Sequence, residues 1–259
     1  MDGWLPKKKE DLCPPPEFAV PVEVVSSVRL QYGTEKLRTI GDLVELQFLF
    51  LLRVGEYTFP INKKRITRTV QFRRKDVVFY KGVRKLGHEE GLATLLTADG
   101  VTLMLENQKN GFCGSILHQH KNHWDLNPVA CLARLITRLL QINDDPEAPL
   151  CQYCAKCGRR WEVKHVTAPH ILKEVNKALR YAGLVNRGLD IDRVGTHSLR
   201  SGGAMDMILN RVSETVVKKL GRWGGEIFQT YIHTQIMSLS NNVSTLMVQP
   251  IANFFHVGG

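Results

Sequence analysis

The sequence predicts an α+β domain, mainly helical, with a small antiparallel sheet inserted near its N-terminal side. Three observations carry that expectation. Apolar residues recur at helical spacing in several stretches that begin and end on helix-capping residues. Between the first of these and the rest, residues 68–120 instead hold short β-branched and aromatic runs with an Asn-Gly turn. The 259 residues, 43% hydrophobic and 23% charged, are enough to bury a full core as one large domain or two small ones.

In chain order, residues 1–30 read as a poorly ordered tail, with Lys7, Lys8 and Lys9 followed by Pro14, Pro15 and Pro16. A domain spanning 31–245 follows, and 246–259 form a C-terminal tail. Thr34 is a plausible N-cap for a helix carrying Leu37, Ile40, Val44, Phe48 and Leu51 on one face. It stops near Leu52, and "RVGEYTFP" makes a turn. "RTVQFRRKDVVFY" reads as strand. "DGVTLMLENQKNGFCGSILHQH" reads as a hairpin: Val101, Leu103 and Leu105 alternate, and Asn110-Gly111 accepts the positive φ of a tight turn. "DLNPVACLARLITRLLQ" begins on Asn-Pro and aligns Val129, Leu132, Leu135, Ile136 and Leu139. A loop holding three cysteines comes next, then a helix capped by Thr167 and stopped by Gly183. Further helices are expected after His197, from about Glu214 to Leu220, and around Tyr231.

The net charge of +10 is concentrated locally. Between Ile61 and Leu86 ten cations (Lys63, Lys64, Arg65, Arg68, Arg73, Arg74, Lys75, Lys81, Arg84 and Lys85) stand against one acid, Asp76. Such a patch suits a polyanion, because releasing the counterions of nucleic acid drives association; the bland alternative is a salt-screened, solvated face. Lys63 to Lys75 are the candidate DNA-binding residues. "LVELQFLFLL" is too short to cross a bilayer, and the N-terminal residues lack the apolar stretch of a secretory signal. A soluble intracellular protein is expected.

Attack on a phosphodiester spreads negative charge over the non-bridging oxygens, so fixed cations aimed at them lower the barrier. Arginine suits this, being always charged and able to hold two oxygens. A nucleophile and a proton donor for the leaving oxygen complete the set, and side-chain cations remove the need for a metal. "HSLRSGGAMDMILNRVSETVVKKLGRWGGEIFQTYI" supplies such a set between His197 and Ile232.

These motifs resemble those of the tyrosine recombinases (phage-type integrases), most closely the recombinase-like proteins of Crypton-type mobile elements. "LLRVGEY" resembles the first arginine motif, with Arg53 in that role and Glu56 supporting it. "HSLRSGGA" matches His-x-x-Arg at His197 and Arg200, and "LGRWGGEIFQTYI" matches the stretch ending in the nucleophile, with Trp223 in the His/Trp position and Tyr231 attacking. Lys109, at the hairpin tip, takes the place of the family's lysine; Lys75, Lys81 and Lys85 compete for it. The resemblance covers about residues 35–245. It implies the DNA breaking-and-rejoining fold and cleavage of double-stranded DNA through a 3′-phosphotyrosyl intermediate, in recombination or integration. It further implies no cofactor, a nuclear location, and an oligomer on DNA built through the segment after Tyr231. The family also carries an N-terminal helical clamp, and the roughly thirty residues before the pattern are too few for one. A chemically silent DNA-binding protein derived from such an element therefore stays open, as does a type IB topoisomerase.

Alone, each residue has a bland reading: Arg53 a solvated helix end, Tyr231 and Trp223 packing aromatics. Cys151, Cys154 and Cys157 have a spacing that can begin a zinc site with His165 or His170. They lack the second pair of a zinc ribbon, and ordinary thiols are the default expectation.

Overall fold

The computed structural model describes residues 18–30, 33–61, 69–106 and 114–223. Among these, residues 18–222 belong to one compact unit and Trp223 falls outside it.

The centre of the main unit is α2 (Glu35–Phe50), whose residues from Thr39 to Phe48 are all buried. A helix buried on every side must be surrounded, and α1 (Val22–Arg29), α5 (Pro128–Ile142), α6 (Ala168–Tyr181) and α7 (Ser198–Leu209) all pack on it. Capping follows the sequence expectations. Thr34 Oγ1 accepts from Leu37 N at 3.4 Å, and the Asn127 side chain accepts from Val129 N and Ala130 N at 3.0 and 3.1 Å ahead of Pro128. Gly183, at φ 69°, follows α6 in the left-handed conformation that glycine adopts freely.

Strands β1 (Val77–Lys81), β2 (Arg84–Leu86), β3 (Gly100–Leu105) and β4 (Ser115–His120) form one antiparallel sheet in the order β2-β1-β3-β4. Val77, Phe79, Val101, Leu103 and Leu117 turn inward towards α5. A short helix, α4 (Gly91–Leu95), links β2 to β3. The β3–β4 pairing, with Leu105 opposite Ser115, matches the expected hairpin, and its tip at 107–113 lies outside the described residues.

Three stretches differ from expectation. Residues 22–29, read as part of a tail, form α1, and Val24, Val25 and Val28 bury against α2. The stripe is only eight residues long and rich in β-branched valine, so it stands out weakly in sequence. "RVGEYTFP" holds a helical turn, α3 (Val54–Tyr57). The cysteine stretch is not a loop but a hairpin of β5 (Gln152–Cys157) and β6 (Arg160–His165), turned at Gly158 with φ 61°. Among the described residues no helix is long and apolar enough to cross a membrane.

Candidate active site

The site is built from two helix ends. Helix α2 stops at Leu51, which takes the left-handed conformation, and two residues later Arg53 begins α3 as its N-cap. The Glu56 carboxylate closes this turn: its Oε2 accepts from Arg53 N at 2.8 Å, and its Oε1 accepts from Arg53 Nη1 at 3.3 Å. Glu56 is 1% exposed, so burial holds that ion pair away from screening water. Arg53 Nη2 donates to the Arg222 carbonyl at 3.4 Å.

His197 is the N-cap of α7, and Arg200 lies in its first turn. A cation there opposes the helix dipole. It is compensated at the other end of the contact, because the buried Arg200 guanidinium donates through Nη2 to the Gly221 carbonyl, the last residue of α8 (Glu214–Gly221). Two glycines bring α7 this close. A Cβ on Gly202 would collide with the Val20 carbonyl, and one on Gly203 with the Phe48 carbonyl. Ser198 Oγ accepts from Gly195 N at 2.9 Å and secures the bend that sets His197, which is half-buried. Thus Arg53 and Arg200, 147 positions apart, donate to the adjacent carbonyls of Arg222 and Gly221.

Two further residues of this corner were not singled out from sequence. Arg222 caps α8 in the left-handed conformation at φ 55°, and its Nη2 donates to Glu56 Oε2 at 2.9 Å and to the Leu51 carbonyl at 3.2 Å. Burial lowers its pKa; the Glu56 charge opposes that and the Arg53 charge adds to it. One carboxylate therefore sits between two guanidiniums. The signal in sequence was slight: Arg222 reads as a turn residue beside the more conspicuous Trp223. Gln47 is the other. Its Nε2 donates to the Thr196 carbonyl at 2.9 Å and to the Leu52 carbonyl at 3.3 Å, while its Oε1 accepts from the Tyr57 hydroxyl. A lone amide inside the apolar run "LVELQFLFLL" was its available signal.

Lys109 and Tyr231 lie outside the described residues, as do Lys63, Lys64, Arg65 and Arg68 and the segment expected to join protomers. Trp223 directly follows Arg222 in the chain. Of the candidate DNA-binding cations, the three that are described, Arg73, Arg74 and Lys75, are each ion-paired, whereas Lys81, Arg84 and Lys85 of the wider patch are exposed. Arg73 pairs with Asp76, Glu106 and Glu147, Lys75 pairs with Glu147 at 2.5 Å, and Arg74 pairs with Asp144 at 3.4 Å. These acids, apart from Asp76, arrive from distant positions, so a count over 61–86 could not include them.

Cys154 and Cys157 are three apart on β5, and side chains at that spacing leave a strand on opposite faces. They do not converge as a ligand pair. Cys157 Sγ accepts instead from Lys164 Nζ at 2.7 Å, and burial pushes the Cys151 thiol up to about 12. Among the described residues the one group able to gather metal-ligating atoms is Asp42, Glu45 and Cys131. Its carboxylates are already taken by Arg134, Arg138 and Arg29, so a cation would have to displace those guanidiniums.

No protein-family model and no curated protein matches the chain. Among solved structures it is similar to the XerH site-specific recombinase bound to palindromic difH substrate in a post-cleavage complex. That match has a TM-score of 0.55 at 16% identity, over 90% of this chain and 54% of that one. A pre-cleavage complex of XerH with difH substrate gives a TM-score of 0.52 at 13% identity, over 86% and 53%. The chain thus spans about half the length of the XerH chains it matches. The α+β architecture described above, helices packed around α2 with a small antiparallel sheet to one side, is the tyrosine-recombinase catalytic fold.

Proposed function

We propose that this chain cleaves and rejoins double-stranded DNA through a 3′-phosphotyrosyl intermediate, in the recombination or integration of a Crypton-type mobile element in the nucleus. The observation that carries the reading is the meeting of Arg53 and Arg200 on the adjacent carbonyls of Arg222 and Gly221, within a recombinase fold. Two guanidiniums so placed can clamp the non-bridging oxygens of one phosphate. The Tyr231 oxygen attacks phosphorus and the bond to the 5′-oxygen breaks. Lys109 protonates that oxygen, His197 takes part in proton transfer at the nucleophile, and Trp223 donates its indole N–H to a phosphate oxygen. The phosphotyrosyl ester keeps the bond energy, so another 5′-hydroxyl can reseal the strand without ATP. Several protomers act together on DNA through the segment after Tyr231, and Lys63, Lys64, Arg65 and Arg68 help hold the duplex.

The test is incubation of the full chain with duplexes carrying a nick that traps the cleaved strand. A covalent protein–DNA adduct is expected, resistant to denaturant and lost in Tyr231→Phe. In Arg53→Ala and Arg200→Ala its rate should fall by about 10²–10³ or more. DNA binding with no adduct would instead support the chemically silent binding protein, and plasmid relaxation without strand exchange would support a topoisomerase.

A further inference from the structure

Strand cleavage as proposed uses Arg53 and Arg200 and leaves Arg222, at the same corner, without a role. Its side chain is 9% exposed, and a single nitrogen, Nη2, makes both of its hydrogen bonds, to Glu56 and to Leu51. Its Nε and Nη1 are buried and have no hydrogen-bond partner among the described residues. A side chain serving only as a strut between α8 and the α2–α3 corner would have acceptors at those atoms too, since a desolvated donor without one is destabilising. The charges lead the same way. Arg53 and Arg222 share the Glu56 carboxylate, and Arg200 joins them at this corner through the Gly221 carbonyl, so three guanidiniums gather here. A phosphodiester carries one negative charge, and a second develops as a nucleophile adds to phosphorus.

The geometry points to Arg222 as a third phosphate-binding guanidinium, which offers an oxyanion oxygen a single N–H, from Nε or from Nη1, while Nη2 stays on Glu56 and Leu51. The anion class is a phosphate ester; its identity as DNA rests on the strand-cleavage reading. Glu56 then keeps two arginines from repelling each other before the phosphate arrives, so the cradle is assembled in advance.

Two readouts on the full chain separate this role from a structural one. In the first, thermal melting is followed against inorganic phosphate, with chloride holding ionic strength constant. The wild-type chain should show a saturable rise in Tm. Arg222→Lys, which keeps a cation beside Glu56 but loses the Nε–H and Nη1–H donors, should bind phosphate at least about tenfold more weakly. Arg180→Ala, removing an exposed cation of α6, should respond like wild type. In the second, the single-turnover rate of adduct formation on nicked duplex should drop about 100-fold or more in Arg222→Lys, with DNA affinity within threefold. Added guanidine should restore part of the rate in Arg222→Gly, which a lost strut would not allow. If Arg222→Lys does not fold, Arg222→Gln, which retains donors for Glu56 and Leu51, carries the same measurements. A phosphate response within twofold of wild type, an adduct rate within threefold, or no phosphate response in the wild type overturns the assignment. A wild-type chain that binds phosphate through Arg222 yet forms no adduct on any duplex removes strand cleavage and supports the anion site.

Discussion

Leu51 ends α2 at φ 49° and Arg222 ends α8 at φ 55°, and neither is glycine. A left-handed residue other than glycine costs on the order of 1 kcal/mol, so both turns must be held by contacts that other conformations would lose. The Leu51 carbonyl receives Arg222 Nη2, and the Arg222 carbonyl receives Arg53 Nη2. Each strained turn thereby presents a carbonyl to a guanidinium of the other segment. Gly202 and Gly203 do the complementary work on α7, where the absence of a Cβ admits the backbones of Val20 and Phe48. Gly202→Ala should therefore lower the unfolding free energy by about 2 kcal/mol or more, because the obstacle is main chain and cannot rotate away. Urea titration reads this directly, and a loss under about 0.5 kcal/mol would mean that α7 shifts without resistance. Arg53, His197 and Arg200 were legible because each sits in a recognisable local string. Arg222 and Gln47 were not, since their significance lies in partners at Glu56 and Thr196 that no local spacing reveals.

Helices α1 and α7 face each other with carboxylates, Glu23 on one and Asp206 on the other. Burial pushes the Asp206 carboxyl up to about 6, and the Glu23 charge adds to the effect. The folded state thus holds the proton more tightly than the unfolded chain, whose Asp titrates near 3.8. Between about pH 4 and pH 6 the native state binds more protons than the unfolded one, so stability falls as pH rises through that window. Asp206→Asn removes the effect. It should stabilise the chain by about 1 kcal/mol at pH 7, discounted for the partial exposure of the group, and flatten the pH profile below 6. Thermal melts of both proteins from pH 4 to 7 test it, and parallel profiles would show that Asp206 does not titrate differently on folding. This helix pair was also the element hardest to read in advance, because α1 offers eight residues, no polar N-cap side chain and a valine-rich stripe. By contrast α2, α5 and α6 are longer, begin on Thr34, Asn127 and Thr167, and were visible from end to end. Strand β5 has a weak strand signature, because only Tyr153 gives its inner face a clear apolar mark among residues that otherwise read as a cysteine-rich loop.

At the scale of the whole molecule, burying α2 requires burying its charges. Asp42 and Glu45 lie in the centre of that helix, where Arg134 from α5 donates to both at 2.7 Å, Arg138 reaches Asp42, and Arg29 from α1 approaches Glu45 at 3.4 Å. The Asn127 N–H adds a further bond to Glu45 at 2.7 Å. Three helices are thus keyed to one another by a buried ionic cluster. Net stabilisation by such a cluster over an apolar core is small, but removing one member leaves an uncompensated charge. Arg134→Met should therefore destabilise strongly, by about 3–5 kcal/mol near pH 8. Burial already pushes the Glu45 carboxyl from 4.5 to about 7 against the pull of Arg134, so losing Arg134 raises it further. A raised carboxylate pKa means stability that is greatest with the proton bound and falls as pH climbs from about 4.5 through the folded value. The variant should accordingly lose more stability between pH 5 and pH 8 than the parent does, with the deficit at pH 5 smaller by about 1–2 kcal/mol because Glu45 is then neutral. Urea unfolding of the two proteins at pH 5 and pH 8 decides the matter: an equal deficit at both values would mean that Glu45 keeps its charge in the core without Arg134, held by Arg29 and the Asn127 amide.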